Sequence, residues 1–285
     1  MNSIKFINKI LVTGGRGTVG SYVKTVFNKS TVFLPGKEIL DVTKLDQVER
    51  SIKKINPDLI IHLAALTNVD LCQINERLAV KINAEGTRNI AIMCKKYKIP
   101  LVYISTSAVF EGKNKKGYSE KDIPKPVNIY SKTKLLGEKI INKEIKNYII
   151  VRGAWMIGGG KKEKKFISYV FDRIKNGETV SAVDDKFGTL TYAKDLLIFI
   201  RKRIFHNEFG LYHFGSSGIC SRYDIANFIK KEINSNSKII PAESAEFEDK
   251  FSAPRPDFEV IKSDKYPFKN SWQTVLKNYI NNDLS

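Results

Sequence analysis

The first half of the chain alternates between short, continuously apolar runs and segments whose apolar residues recur every three or four positions. Residues 10–12 (ILV), 31–34 (TVFL), 59–63 (LIIHL) and 101–105 (LVYIS) form the runs. Their β-branched, unbroken character suits strands of a parallel sheet covered on both faces. Between them, Val19, Val23, Val26 and Phe27 make one helical stripe, and Leu45, Val48, Ile52 and Ile55 a second. Leu78, Ile82, Ile90 and Met93 predict a third, longer helix loosened by Gly86. Strand–helix alternation predicts an α/β fold, a Rossmann-type doubly wound parallel sheet. The loops that follow its strands then lie along one edge, where ligands bind.

Residues 106–129 are polar and long for a connection inside a compact domain, which predicts a functional lid or a disordered segment. A helix follows over 130–145, then a strand over 148–152. After Gly153 the alternation blurs. Helices are predicted over 164–175, 192–204 and 221–233, the last opened by the capping-box pattern Ser221-x-x-Asp224. Residues 210–214 (GLYHF) read as a strand and 252–258 (SAPRPDF) as a proline-rich loop. No repeat or low-complexity linker divides the chain. The second half therefore reads as a smaller lobe packed on the sheet.

Composition changes the picture little. A chain of 285 residues can bury a substantial core. No apolar run approaches the ~20 residues that span a bilayer. The N-terminus lacks the apolar core of a signal peptide, so a soluble cytoplasmic protein with no membrane partner is expected. The net charge of +18 comes from lysines spread along the whole chain. The densest cluster, residues 161–165 (KKEKK), carries no interleaved aromatics, so no nucleic-acid partner is expected. Three isolated cysteines and three scattered histidines show no metal-ligand spacing, and no metal is expected.

Candidate chemistry begins directly after the first run. Gly14, Gly17 and Gly20 stand in a GxxGxxG spacing between a strand and a helix. Glycines there permit a tight turn, close backbone approach to a pyrophosphate and close helix packing. The orphan N–H groups and the helix dipole favour the anion. Gly14 to Gly20, with Arg16, Thr18 and Val19, therefore form the candidate cofactor loop. No acid stands at the tip of the second strand to hold a ribose hydroxyl, where Lys37 lies instead. Arg16 and Lys37 suit a 2′-phosphate, which favours NADPH, with NADH as the other option. The predicted division is a dinucleotide-binding domain over 1–152, to which 187–217 returns. Residues 153–285 form mainly a substrate-binding lobe.

Tyr130 and Lys134 form a YxxxK pair. With so many tyrosines and lysines, one such pair is expected by chance, but its position is informative. It opens the helix after the long loop, following the strand that ends at Ser105 and Thr106. On a helix, positions i and i+4 share a face. A cation ~5 Å from a phenol, at an effective dielectric of ~20, favours the phenolate by about 3 kcal/mol before desolvation. That corresponds to roughly two pKa units. A hydroxyl from Thr106 or Ser105 would hydrogen-bond the same developing oxyanion.

The segments DVTKLDQV, PDLIIHLAALTNVDLC, STSAVFEGK, YSKTKLLGE, RGAWMIGGG, FGTLTYAKDL and APRPDFEVIKSDKY occur in this order over nearly the whole chain. In these segments the chain resembles the dTDP-4-dehydrorhamnose reductase family, within the extended short-chain dehydrogenases/reductases. The resemblance implies NAD(P)H-dependent reduction of the C4 ketone of a nucleotide-linked 4-keto-6-deoxyhexose. It implies a catalytic Thr106, Tyr130 and Lys134, with Tyr130 protonating the C4 oxygen and Lys134 also holding the nicotinamide ribose. Asp41 and Val42 match the adenine-contacting pair, and Ala64 and Ala65 the backbone beside the cofactor. Trp155 matches an aromatic of the sugar pocket, Ser107 falls in the substrate-binding region, and Arg255 falls in the loop that meets the nucleotide diphosphate. Ser107 and Ala108 replace the family's usual Asp-Tyr, Leu66 a usual Tyr and Leu190 a usual Pro, which leaves the exact sugar and nucleotide open. Two other readings stay open: a bifunctional 3,5-epimerase/4-reductase, and a non-catalytic NADP-binding regulatory subunit. The chain could assemble as a homodimer. The plainer reading of His62 is a satisfied core histidine, and of Asn83 a helix bridge.

Overall fold

A computed structural model describes residues 7–160 and 166–284. The lysine cluster at 161–165, and the start of the helix predicted from 164, lie outside the described residues. β1 (Lys9–Thr13) leads through a tight turn (Gly20–Tyr22) into a one-turn helix α1 (Val23–Val26), then β2 (Thr31–Phe33), α2 (Leu45–Ile55) and β3 (Leu59–His62). α3 (Val69–Ile74), α4 (Glu76–Val80) and α5 (Gly86–Tyr97) precede β4 (Leu101–Thr106), and α6 (Ile129–Glu144) precedes β5 (Tyr148–Gly153). Next come β6 (Trp155–Ile157), α7 (Phe166–Lys175), β7 (Val180–Val183), β8 (Phe187–Gly188), β9 (Leu190–Tyr192) and α8 (Ala193–Phe205). β10 (Gly210–Phe214), β11 (Cys220–Ser221), α9 (Arg222–Glu232), β12 (Ile239–Ala242), β13 (Phe258–Glu259) and α10 (Trp272–Tyr279) follow.

Six strands form one parallel sheet in the order β10-β5-β4-β3-β1-β2. The continuous apolar runs have their reason in its two covered faces. Ile10, Val12, Leu59 and Ile61 enter the core on one face, while Leu11, Ile60, Leu101 and Tyr103 enter the core on the other. The strand order reverses at β1, which has β2 on one side and β3 on the other. Loops leaving β1 and β3 therefore diverge and open a crevice there. The strand predicted over 210–214 closes the far edge as β10, in register with β5 from Gly210 opposite Ile149 to Phe214 opposite Gly153. β11, β8 and β13 make a small sheet, and β12–β7 and β6–β9 make two ribbons.

Several elements differ from expectation. The stripe from Val19 to Phe27 forms only the turn and the single-turn α1, because the backbone leaves the helical region at Phe27 to reach β2. The long helix of Leu78 to Met93 is interrupted by a wide turn over Lys81–Glu85 just before Gly86. Gly86 is a packing contact: a Cβ there would lie 2.7 Å from Val42 Cγ2. The loop over 106–129 is neither loose nor irregular throughout. It starts with a 3₁₀ turn (Ser107–Val109), and Phe110 stacks on Tyr118 at 4.4 Å. Backbone hydrogen bonds from Phe258 to Gly112 and from Tyr118 to Val260 tie it to the C-terminal segment. The predicted box at Ser221 and Asp224 is formed, each side chain accepting the other's backbone N–H.

Candidate active site

The three glycines of the loop after β1 do not serve one purpose. Gly14 has φ +67°, and a Cβ on it would lie 2.5 Å from the backbone nitrogen of Ala64. Gly20 would place a Cβ 2.2 Å from the carbonyl oxygen of Gly15. Gly17 is hemmed in by nothing closer than the Gly14 oxygen at 3.5 Å, so a Cβ there would project into free space. Two glycines thus let backbones touch, and the third keeps a cradle open. That is the shape a dinucleotide pyrophosphate needs at a strand-to-helix turn.

The loop forms one end of a cavity of about 1080 Å³ at the sheet's switch point. Gly14, Arg16, Gly17, Thr18, Val19, Gly20 and Lys37 line it, as do Asp41, Val42, Ala64 and Ala65. Arg16 turns to Glu38 at 3.4 Å, but both side chains are largely exposed, so the pair is weak and easily exchanged. Val42 is fixed from behind by Asn89, whose Nδ2 donates to the Val42 carbonyl at 2.9 Å. Burial alone would raise the Asp41 carboxyl, but hydrogen bonds from Thr43 and the charges of Lys37 and Lys44 bring it below its ordinary value. His62 is a satisfied core histidine, held between Thr13 Oγ1 at 2.7 Å and Thr87 Oγ1 at 3.1 Å. Asn83 bridges two elements of the site. Its side chain accepts from Leu66 N at 2.7 Å and donates to Thr133 Oγ1 of α6 at 3.0 Å.

Thr106, Tyr130 and Lys134 line the same cavity. Asn128 caps α6 by accepting from Ser131 N at 2.9 Å and donates to the Pro254 carbonyl at 2.9 Å. The cap places Tyr130 in the first turn, near Thr106, whose side chain favours the ionised phenol. The electrostatics correct the sequence expectation. The Tyr130 phenol is held well above its ordinary pKa, first by burial and then by the negative charge of Glu259. Lys134 does not pull it down. Its ammonium lies over the Tyr103 ring, 3.9 Å from the centroid, and burial lowers it to about 7, against the opposing pull of Glu138. Desolvation penalises each charged form separately and outweighs their attraction. Glu138 accepts from Ser105 Oγ at 2.5 Å and pairs with Arg152 Nη2 at 2.6 Å, a buried pair behind the site.

The remaining wall comes from the second half of the chain. Trp155 lines the cavity and donates its indole N–H to Glu259 Oε1 at 3.2 Å. Glu259 Oε2 accepts from Ser107 Oγ at 3.1 Å. Ser107 is therefore beside the site but not in its lining. Arg255 is not in the lining either: its guanidinium pairs with Asp70 at 2.7 Å and donates to the Ala253 carbonyl at 3.1 Å. Arg222, Phe166 and Met156 do line the cavity and were not singled out in the sequence. Arg222 directly follows the capping serine, and no local pattern marks it as facing a ligand.

The model of the family described as the RmlD substrate binding domain matches residues 8–284. The chain belongs to the dTDP-4-dehydrorhamnose reductase family. Within the family, it is similar to the spore coat polysaccharide biosynthesis protein SpsK of Bacillus subtilis, 30% identical over 280 residues that cover 96% of this chain and 97% of that one. The crystal structure of dTDP-4-dehydrorhamnose reductase from Bacillus anthracis in complex with NADP superposes with a TM-score of 0.91 at 31% identity, covering 97% of this chain and 99% of that one. The reductase from Yersinia enterocolitica superposes with a TM-score of 0.88 at 36% identity, covering 96% and 99%.

Proposed function

We infer that this protein is an NADPH-dependent reductase of the C4 ketone of a nucleotide-linked 4-keto-6-deoxyhexose, of the dTDP- or UDP-4-keto-rhamnose type, acting in deoxysugar nucleotide biosynthesis. The observation that carries the reading is the meeting of Thr106, Tyr130 and Lys134 with the glycine loop in one cavity. Membership of a reductase family throughout the chain supports it. The loop from Gly14 to Gly20 would hold the pyrophosphate of the cofactor, Arg16 and Lys37 its 2′-phosphate, and Asp41, Val42, Ala64 and Ala65 its adenosine side and neighbouring backbone. The cofactor, when bound, supplies the hydride for the carbonyl carbon.

The residues of the chain supply the rest. Tyr130, with its raised pKa, keeps its proton at neutral pH and is a donor to the C4 oxygen as that oxygen gains negative charge. Thr106 lines the cavity with the phenol, and its hydroxyl favours the negative charge that develops there. Lys134, poised near neutrality, gains a proton readily when anionic ligands enter, and then stabilises the negative charge left on Tyr130. Residues up to 152 act as the cofactor domain with the β10 region returning to it, and the later residues act mainly as the substrate lobe. Three buried free thiols, Cys72, Cys94 and Cys220, and the use of NADPH fit the cytoplasm as the compartment.

The test is NADPH consumption with dTDP- and UDP-linked 4-keto-6-deoxyhexoses, with and without a separate 3,5-epimerase. Turnover that needs the epimerase is the expected result, and Tyr130→Phe should lower it about 10²- to 10⁴-fold, the weight of a general acid. Undiminished turnover by that variant would remove Tyr130 from the mechanism. Turnover without the epimerase would favour the bifunctional enzyme. Tight NADPH binding with no turnover of any substrate would favour the regulatory subunit.

A further inference from the structure

Four cations line the cavity among the described residues: Arg16, Lys37, Lys134 and Arg222. The first two flank the glycine loop, and Lys134 lies over Tyr103. Arg222 belongs to the other wall. Its guanidinium is 4.8 Å from the Trp155 ring and 4.8 Å from the Phe166 ring. Stacking on rings engages the faces of a guanidinium and leaves the N–H donors on its edges. Among the described residues, those donors make no hydrogen bond and no ion pair. The carboxylate that acts on them through space, Glu259, has its oxygens engaged by Trp155 and Ser107. A partly desolvated cation with unspent donors, facing a cavity, is completed by an anionic ligand.

We propose that Arg222 is the anion-binding residue of the substrate wall and takes the phosphate oxygens of a nucleoside diphosphate. This is the role that the sequence suggested for Arg255, whose guanidinium is instead committed to Asp70. The assignment rests on the reductase reading for its substrate class. The Trp155 and Phe166 rings hold the guanidinium in place, and Glu259 holds Trp155. The cluster joins residues 155, 166, 222 and 259, so it exists only in the folded chain.

The experiment is calorimetric titration of the NADPH-loaded protein with dTDP and with UDP, comparing wild type, R222M, R222K and R255M. R222M should lose 10- to 100-fold in diphosphate affinity, the range of a charge-assisted hydrogen bond. NADPH affinity should stay within twofold. R222K keeps the charge without the flat fork and should recover part of the loss. R255M should bind as wild type does. An R222M protein that binds diphosphate within threefold of wild type overturns the proposal. So does an equal loss of NADPH affinity, which would assign Arg222 to the cofactor. If R222M fails to fold, full diphosphate affinity in R222K together with a loss in R255M overturns it. A wild-type protein that binds NADPH but neither diphosphate overturns the reductase reading along with it.

Discussion

On the β1–β3 side of the cavity the ligand-facing groups are largely backbone, brought within touching distance by Gly14, Gly20 and the Ala64 segment. On the side formed after Gly153 they are side chains, with Arg222 over the rings of Trp155 and Phe166 and Glu259 hydrogen-bonded to Trp155. The first wall is specified by absence of side chains and tolerates no added Cβ at Gly14 or Gly20. The second is specified by which aromatic and charged groups three distant segments contribute. A cofactor shared by many enzymes suits the first plan, and a substrate that differs between enzymes suits the second.

The largest effect expected concerns the backbone wall. Gly20→Ala pushes a Cβ to 2.2 Å from the Gly15 oxygen, and should cost about 3 kcal/mol in denaturant unfolding as well as most NADPH affinity. Gly17→Ala meets no close neighbour and should keep the stability while weakening NADPH binding. Equal stability loss in both variants would break the distinction between a glycine that packs and a glycine that leaves room.

A second prediction concerns the pH dependence of that wall. His62 beneath it is lowered to about 3, first by burial and then by the charge of Lys134, whereas an unfolded histidine titrates near 6.5. The unfolded chain therefore takes up a proton before the folded one does. The stability associated with neutral His62 is complete above 6.5 and is lost as pH falls from there toward 3, at up to roughly 1.4 kcal/mol per pH unit. Unfolding free energies measured from pH 7 to 4.5 should show this slope, and His62→Asn should flatten it. An unchanged slope in the variant would place the acid sensitivity elsewhere.

The smallest effect expected is on the side-chain wall. Glu259→Gln keeps an acceptor for Trp155 but removes a charge, and should raise substrate KM about 5- to 10-fold with NADPH affinity unchanged. Because Glu259 also raises the Tyr130 phenol, the basic limb of the rate profile should move to lower pH in this variant. A KM change with no movement of that limb would confine Glu259 to holding Trp155.

The local patterns in the chain carried far. Continuous apolar runs identified β1, β2, β3 and β4, and the strand-to-helix position of the glycines identified the cofactor end. The place of Tyr130 after the fourth strand identified the reacting end. Such signals are read from near neighbours, since strand and helix periods and i, i+4 spacing need no tertiary contact. The short strands after Gly153 were missed because two- and three-residue elements have too few positions to show a period.

What the sequence by itself determined is the doubly wound sheet, the glycine cradle and the pairing of Tyr130 with Lys134 on one helix. Only the tertiary structure decided which arginine faces the cavity, because Arg255 meets an aspartate 185 positions away while Arg222 meets two aromatic rings. It also decided the direction of the Tyr130 and Lys134 pKa values. Sequence spacing reports that two groups can be close, but the cost of removing each from water depends on everything packed around them.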